Sequence, residues 1–147
     1  VTTPDPWYAE GLCFDCTYCG NCCSGAPGYV WVTYQEITAI AHALGLTTEQ
    51  FETHHTRRVG SRQSLLELDN GDCEFLERDS EGKARCKIYA VRPLQCRTWP
   101  LWESNLRSPK AWQQAARNCP GIGHGERHRL PAIQAALRAN ASASLPL

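Results

Sequence analysis

The chain has 147 residues, one domain's worth of sequence, and its 15 basic residues balance its 15 acidic ones. A net charge of zero gives no global basic field to drive binding to nucleic acid or an anionic membrane, and no window holds the ~20 consecutive apolar residues of a membrane span. The apolar fraction of 42% includes nine cysteines, so the true hydrophobic core is thin and a metal is expected to staple it.

In chain order, the opening Val1-Thr-Thr-Pro-Asp-Pro6 lacks the basic and apolar regions of a secretion signal, so a cytoplasmic location is expected. Five cysteines follow within eleven residues, at 13, 16, 19, 22 and 23, and four more stand at 73, 86, 96 and 119. Thiolates spaced two residues apart turn inward on a tight loop and share a soft cation, whereas half-cystines so close strain a disulfide. The odd count and the C-x2-C-x2-C-x2-C spacing therefore point to metal ligation rather than a disulfide framework. Gly20, Gly25, Pro27 and Gly28 mark the segment to residue 28 as loop.

Thr33-x-x-Glu36 is a capping box for a helix carrying Ile37, Ile40, Ala41 and Leu44 on one face and stopped by Gly45. Thr47-x-x-Gln50 starts a second helix through Phe51 towards Thr56, and the pair reads as a helical hairpin covering the metal region. Segments 64–68, 73–77 and 83–89, separated by Asp69-Asn-Gly-Asp72 and Asp79-Ser-Glu-Gly82, predict a three-stranded antiparallel meander, with a type I′ turn at Asn70-Gly71. Cys73 and Cys86 would then sit on adjacent strands. Arg92-Pro93 opens a short helical turn holding Cys96, Ser108-Pro109 caps a helix ending near Asn118 and Cys119, and a last helix runs from Pro131 to about Ala139 before a frayed tail at 140–147. The fold expected is one small α+β domain over 1–147: a Cys-rich N-terminal loop, a helical hairpin, a meander and C-terminal helices around a metal centre.

Phe14-x-Cys16-x-x-Cys19-Gly20-x-Cys22-Cys23, then Cys73-x-Phe75-Leu76, Cys86-x-Ile88-Tyr89-x-x-Arg92-Pro93-x-x-Cys96-Arg97-x-Trp99-Pro100 and Cys119-Pro120-Gly121 resemble the YkgJ-type CxxCxxCC cysteine-cluster family of zinc- or iron-chelating proteins over about residues 7–125. The resemblance implies eight ligands, Cys16, Cys19, Cys22, Cys23, Cys73, Cys86, Cys96 and Cys119, and leaves Cys13 outside the set. It also implies an iron–sulfur cluster, and relatives that include flagellin lysine N-methylases leave room for a cluster-dependent modification, with a small cofactor such as S-adenosylmethionine, beside electron transfer.

From the residues alone the metal stays open. The compact C-x2-C-x2-C run suits a [4Fe–4S] cluster, and Cys16-x-x-Cys19-Gly20 equally suits a tetrahedral zinc knuckle in a structural or interaction module. Arg92 and Arg97, which flank Cys96, are candidate cofactor-binding residues, with an ion pair to a nearby acidic residue as the plainer expectation. The expected partners are the metal and a redox or other protein partner, not nucleic acid or a membrane. Trp31, Trp99, Trp102 and Trp112 read as core and site cover, and His54-His55 as a solvated helix end. The pair His124 and His128 sits among glycines that disfavour a helix, which argues against a zinc site there.

Overall fold

A computed structural model describes residues 4–23 and 29–147, the side chain of Cys23 excepted. The fold is α+β, as the sequence suggests. In chain order the elements are β1 (Leu12–Phe14), β2 (Trp31–Val32), α1 (Tyr34–Ala43), α2 (Thr48–His55), β3 (Thr56–Val59), β4 (Arg62–Leu65), β5 (Leu76–Arg78), β6 (Ala84–Cys86), α3 (Leu94–Thr98), α4 (Glu103–Leu106), α5 (Pro109–Ala116), β7 (Ile122–His128) and α6 (Leu130–Ser142). They fall into two compact units: residues 20–97 form one, and residues 1–19 with 98–147 form the other.

In the unit of residues 20–97, both capping boxes form. Thr33 Oγ1 accepts the Glu36 amide at 3.2 Å while Glu36 Oε1 accepts the Thr33 amide at 3.0 Å, and Thr47 with Gln50 does the same at the start of α2. Helix α1 ends on left-handed Gly45, whose amide meets the His42 carbonyl while Leu46 reaches back to Ala41, so the last carbonyls are satisfied. The apolar faces of both helices then pack Ile37, Ile40, Ala41 and Phe51 against Val32, Leu65, Phe75 and Ile88. Full burial of each large side chain stabilises by about 1.5–3 kcal/mol.

The predicted meander is only partly formed. Strands β5 and β6 pair antiparallel, Leu76 opposite Cys86, but residues 64–68 and 73–77 meet only through the single bridge Glu67↔Cys73. The chain turns at once, with the Leu76 amide bonded to the Cys73 carbonyl, so no ladder can propagate. Strand β4 instead lies at the centre of a sheet ordered β2-β4-β3. Its partner β3 follows directly from α2 and returns through Gly60-Ser61, with Gly60 left-handed at φ 62°. The Asn70-Gly71 turn is likewise not type I′. Gly71 alone is left-handed, in a three-residue loop closed by Leu68 N to Asp72 O at 2.7 Å.

In the other unit, β1 pairs antiparallel with β7, Leu12 opposite His128 and Cys13 opposite Arg127, with an irregularity between Cys13 and Phe14. The stretch before residue 28, read as loop throughout, thus contains a strand. Two bare backbones allow it: a Cβ at Gly121 would overlap the Asp15 carbonyl, and one at Gly125 would overlap the Asp15 carboxylate. The core here is Leu12, Leu101, Leu106, Trp112, Ile122 and Ile133. Ser108 caps α5 as predicted, its Oγ accepting the Ala111 amide at 3.1 Å. Helix α6 runs on to Ser142, and residues 140–147 carry defined bonds: Ser144, at φ 54°, bonds back to Ala141, and Leu145 to the Asn140 carbonyl at 3.0 Å. Among the described residues no helix is long and apolar enough to cross a membrane.

Candidate metal centre

Cys22, Cys73, Cys86 and Cys96, in the unit of residues 20–97, are each delivered by a different piece of chain. Cys22 lies in the 3₁₀ turn Asn21–Cys23, directly after Gly20. Gly20 is left-handed at φ 80°, and a Cβ there would stand 2.8 Å from Arg78 Nη2 and 2.9 Å from Ala84 Cβ. Only glycine allows this approach, and the approach seats the Cys22 turn on the β5–β6 hairpin that ends in Cys86.

Cys73 and Cys86 share a local device. The amide two residues on, Phe75 for Cys73 and Ile88 for Cys86, is directed at the sulfur. Phe75 and Ile88 are themselves buried in the core, at 5% and 3% exposure, so packing holds each amide in place. An apolar residue two places after a ligand cysteine therefore anchors an N–H···S contact, which favours thiolate over thiol.

Cys96 is set by α3, which two side chains tie to the rest of the unit, Glu36 reaching in from α1 and Gln95 reaching out from α3 itself. Glu36, already closing the α1 box, accepts the Leu94 amide through Oε2 at 2.6 Å. Gln95, 7% exposed, accepts the Trp31 amide at 2.8 Å and donates to the Tyr29 carbonyl at 2.7 Å, as a neighbouring strand would. Gln95 carries no local sequence signal, and Glu36 is legible only as half of a capping box.

The four thiols Cys22, Cys73, Cys86 and Cys96 lie within electrostatic reach of one another. Burial pushes Cys96 above the thiol range, and potential charges on Cys73, Cys86 and Cys22 push it further, against the pull of Arg92. Cys73 is raised by burial first and then by Cys86, Glu74 and Cys22, while its Phe75 contact opposes the shift. Cys86 is raised by burial, opposed by the Ile88 amide and by Arg92. Four thiolates this close need a cation or their protons. The donor set is all sulfur, with amides aimed at two of its members, and such a set fits a soft metal. Among the described residues no three Cys, His, Asp or Glu side chains stand at ligand distance from a common point. The side chain of Cys23 lies outside the described residues.

In the other unit, Cys16 is exposed, and Cys19, Cys119 and Cys13 are half-buried. The Tyr18 amide donates to Cys16 Sγ at 3.3 Å, repeating the same two-residue offset, and Tyr18 takes the left-handed φ of 58° to do so. Cys119 precedes a turn closed by Ile122 N to Cys119 O at 3.1 Å, and the following Gly121 carbonyl accepts the Asp15 amide at 3.3 Å. The Cys119 turn is thereby laid against the residue next to Cys16. Cys13 sits on β1 opposite Arg127.

Among the described residues Arg92 and Arg97 have no acidic partner within ion-pair distance. Arg92 Nε donates to the Tyr89 carbonyl at 3.0 Å with its guanidinium 3.8 Å from the Tyr89 ring centre, and Arg97 Nε donates to the Arg92 carbonyl at 3.1 Å. His55 is also a correction: it is half-buried, stacked on Phe51 and tilted against Phe75, and its Nδ1 pairs with Glu74. Its neighbour His54 is exposed. His128 Nε2 contacts the Phe14 carbonyl at 3.0 Å, and His124 lies on the same strand, exposed.

The CxxCxxCC family, described as "Putative zinc- or iron-chelating domain", matches residues 15–120. The chain belongs to that family. Metal binding through cysteines is its defining chemistry, and the matched stretch runs from the residue before Cys16 to the residue after Cys119. An uncharacterized protein of Methanocaldococcus jannaschii, MJ0661, is 33% identical over 93 residues, which are 63% of this chain and 47% of that protein. The chain spans about half the length of this relative. No solved structure matches.

Proposed function

We propose that this chain is an iron–sulfur protein whose ligands are Cys16, Cys19, Cys22, Cys23, Cys73, Cys86, Cys96 and Cys119, and that Cys22, Cys73, Cys86 and Cys96 serve one centre. The observation that carries the reading is the convergence of these four thiols from four separate chain segments: burial raises Cys73, Cys86 and Cys96, and the charge of Cys22 reaches all three. A [4Fe–4S] cluster takes four thiolates, and amide contacts to sulfur together with burial set its potential. When bound, the cluster supplies one-electron chemistry, and the partner is a protein that exchanges electrons with it.

Of the two candidate cofactor-binding arginines, Arg92 suits the site better. Its charge reaches Cys86 and Cys96 and offsets the negative charge of thiolate ligands, while Arg97 supports it through the Arg92 carbonyl. Zinc is the second reading, favoured by the Tyr18 amide on Cys16 in a C-x-x-C-G turn, an arrangement that tetrahedral zinc also uses.

Substitution tests the ligand set. Cys73→Ser and Cys96→Ser are expected to lose bound metal on anaerobic purification, whereas Cys13→Ser retains the full content, because a neutral hydroxyl does not replace a thiolate on a soft metal. Full metal content in Cys96→Ser would refute the assignment.

A further inference from the structure

Between Lys83 and Thr98 the chain carries five basic residues and no acidic one, in a protein whose net charge is zero. Two of the five are balanced across the β5–β6 hairpin: Arg85 stands opposite Glu77, and Lys83 lies against Asp79. Lys87, Arg92 and Arg97 have no acidic group within ion-pair distance among the described residues. Lys87 follows Cys86 and Arg97 follows Cys96, while the charge of Arg92 reaches both thiols. The unbalanced positive charge therefore lies at the rim of the cysteine centre.

That rim is held in shape by its own contacts. Arg92 Nε donates to the Tyr89 carbonyl, with the guanidinium laid over the Tyr89 ring, and Arg97 Nε donates to the Arg92 carbonyl. Each bond uses the Nε–H and leaves the two Nη groups, the end of the fork that matches a carboxylate, without a hydrogen-bond partner among the described residues. A fork already fixed in place loses less side-chain freedom on binding. Tyr89 is 59% exposed and Arg97 is exposed as well, so the rim is an open surface rather than an enclosing small-molecule site. Tyr and Arg are also the residue types that anchor protein interfaces.

We propose that the rim formed by Tyr89, Arg92 and Arg97 docks the acidic surface of a partner protein and is the place where the centre exchanges electrons with it. The arginine forks take carboxylates of the partner, and the exposed Tyr89 ring packs beside them. That the docked protein carries electrons rests on the iron–sulfur reading. One electron passes between cluster and partner, one of the two is oxidised as the other is reduced, and no bond forms or breaks.

The test uses the whole metal-loaded chain. A fluorescein-labelled polyglutamate peptide, followed by anisotropy, stands for the acidic partner. Ferricyanide, an anionic one-electron oxidant, reoxidises the reduced protein in stopped flow beside the cationic hexaamminecobalt(III). Raising salt from about 0.01 M to about 0.1 M shortens the screening length from about 30 Å to about 10 Å. Peptide affinity is expected to fall by about tenfold over that range, and by about tenfold at low salt in Arg97→Gln. Lys87→Gln, which removes an exposed charge and no hydrogen bond, should weaken the peptide by about threefold, and Arg58→Gln, exposed elsewhere in the same unit, should leave it unchanged. Ferricyanide reoxidation should slow with salt and in Arg97→Gln, whereas the cobalt complex speeds up in both. Peptide affinity equal to the parent's in both Arg97→Gln and Lys87→Gln overturns the docking face, and ferricyanide rates indifferent to salt and to Arg97 overturn the electron route. Colourless, sulfide-free protein that still binds the peptide through Arg97 refutes the iron–sulfur reading while upholding the docking face.

Discussion

Glu36 on α1 holds the first amide of α3, its Oε2 lying 2.6 Å from Leu94 N, across 58 positions of sequence. The same carboxylate closes the α1 capping box through Oε1. One side chain thus fixes two helix starts, and the second helix carries Cys96. Glu36→Ala should cost about 1–3 kcal/mol in denaturant unfolding, more than an ordinary cap, because two amides lose their acceptor. It should also lower metal retention, whereas Gln50→Ala, which removes only the α2 box, should leave metal content unchanged.

The Asp15 contacts of Gly121 and Gly125 predict a size-dependent defect. Gly121→Ala places a methyl group on the Asp15 carbonyl and should destabilise by about 1–3 kcal/mol or abolish soluble expression. Gly45→Ala meets open space and suffers only its left-handed backbone, at φ 72°, so its penalty should be about 1 kcal/mol. Melting temperatures of the two variants check the order.

Much of this was legible in the sequence, for reasons that particular residues show. Thr33, Thr47 and Ser108 announce their helices because a cap is a local event, complete within four residues. The cysteine pattern announced a metal for the same reason. What stayed hidden depends on distant partners. Gly121 and Gly125 look like turn residues until β1 is seen beside them, and Gln95 looks like a surface amide until it is found bonded to Tyr29 and Trp31. The Gly60-Ser61 turn has a two-residue hairpin signal, but its first strand, Thr56–Val59, follows α2 without a break and shows no alternation of its own. The burial of His55 has no local signal, because its partner Glu74 is nineteen positions away and its aromatic neighbour Phe75 arrives from another element.

The thiols predict a pH dependence with a definite sign. Burial raises Cys73, Cys86 and Cys96 above the ordinary value of 9.0, so the metal-free fold favours their protonated forms. Their contribution to metal-free stability is fully present below that ordinary value and is lost as pH rises through the raised ones. Metal uptake must displace these protons, so the metal concentration for half-saturation should rise as pH falls, with proton release detectable in unbuffered titration.

Asp79 has the opposite sign. Its Oδ1 accepts the Lys83 and Glu81 amides, each at 2.9 Å, and the Lys83 contact leads the causes that hold its carboxyl below the usual 3.8. The stability it contributes is present above the unfolded value and is lost as pH falls through the lowered one. Asp79→Asn should therefore lower stability slightly at neutral pH, with the difference from the parent protein disappearing as pH falls through the lowered value.

Metal and sulfide analysis of anaerobically purified protein, read beside its visible absorption, decides whether the cysteines hold an iron–sulfur centre. Brown protein containing iron and acid-labile sulfide is expected, with both lost in Cys96→Ser. Colourless protein containing zinc without sulfide would contradict the iron–sulfur assignment, and protein that binds neither metal after reconstitution would contradict the metal centre itself.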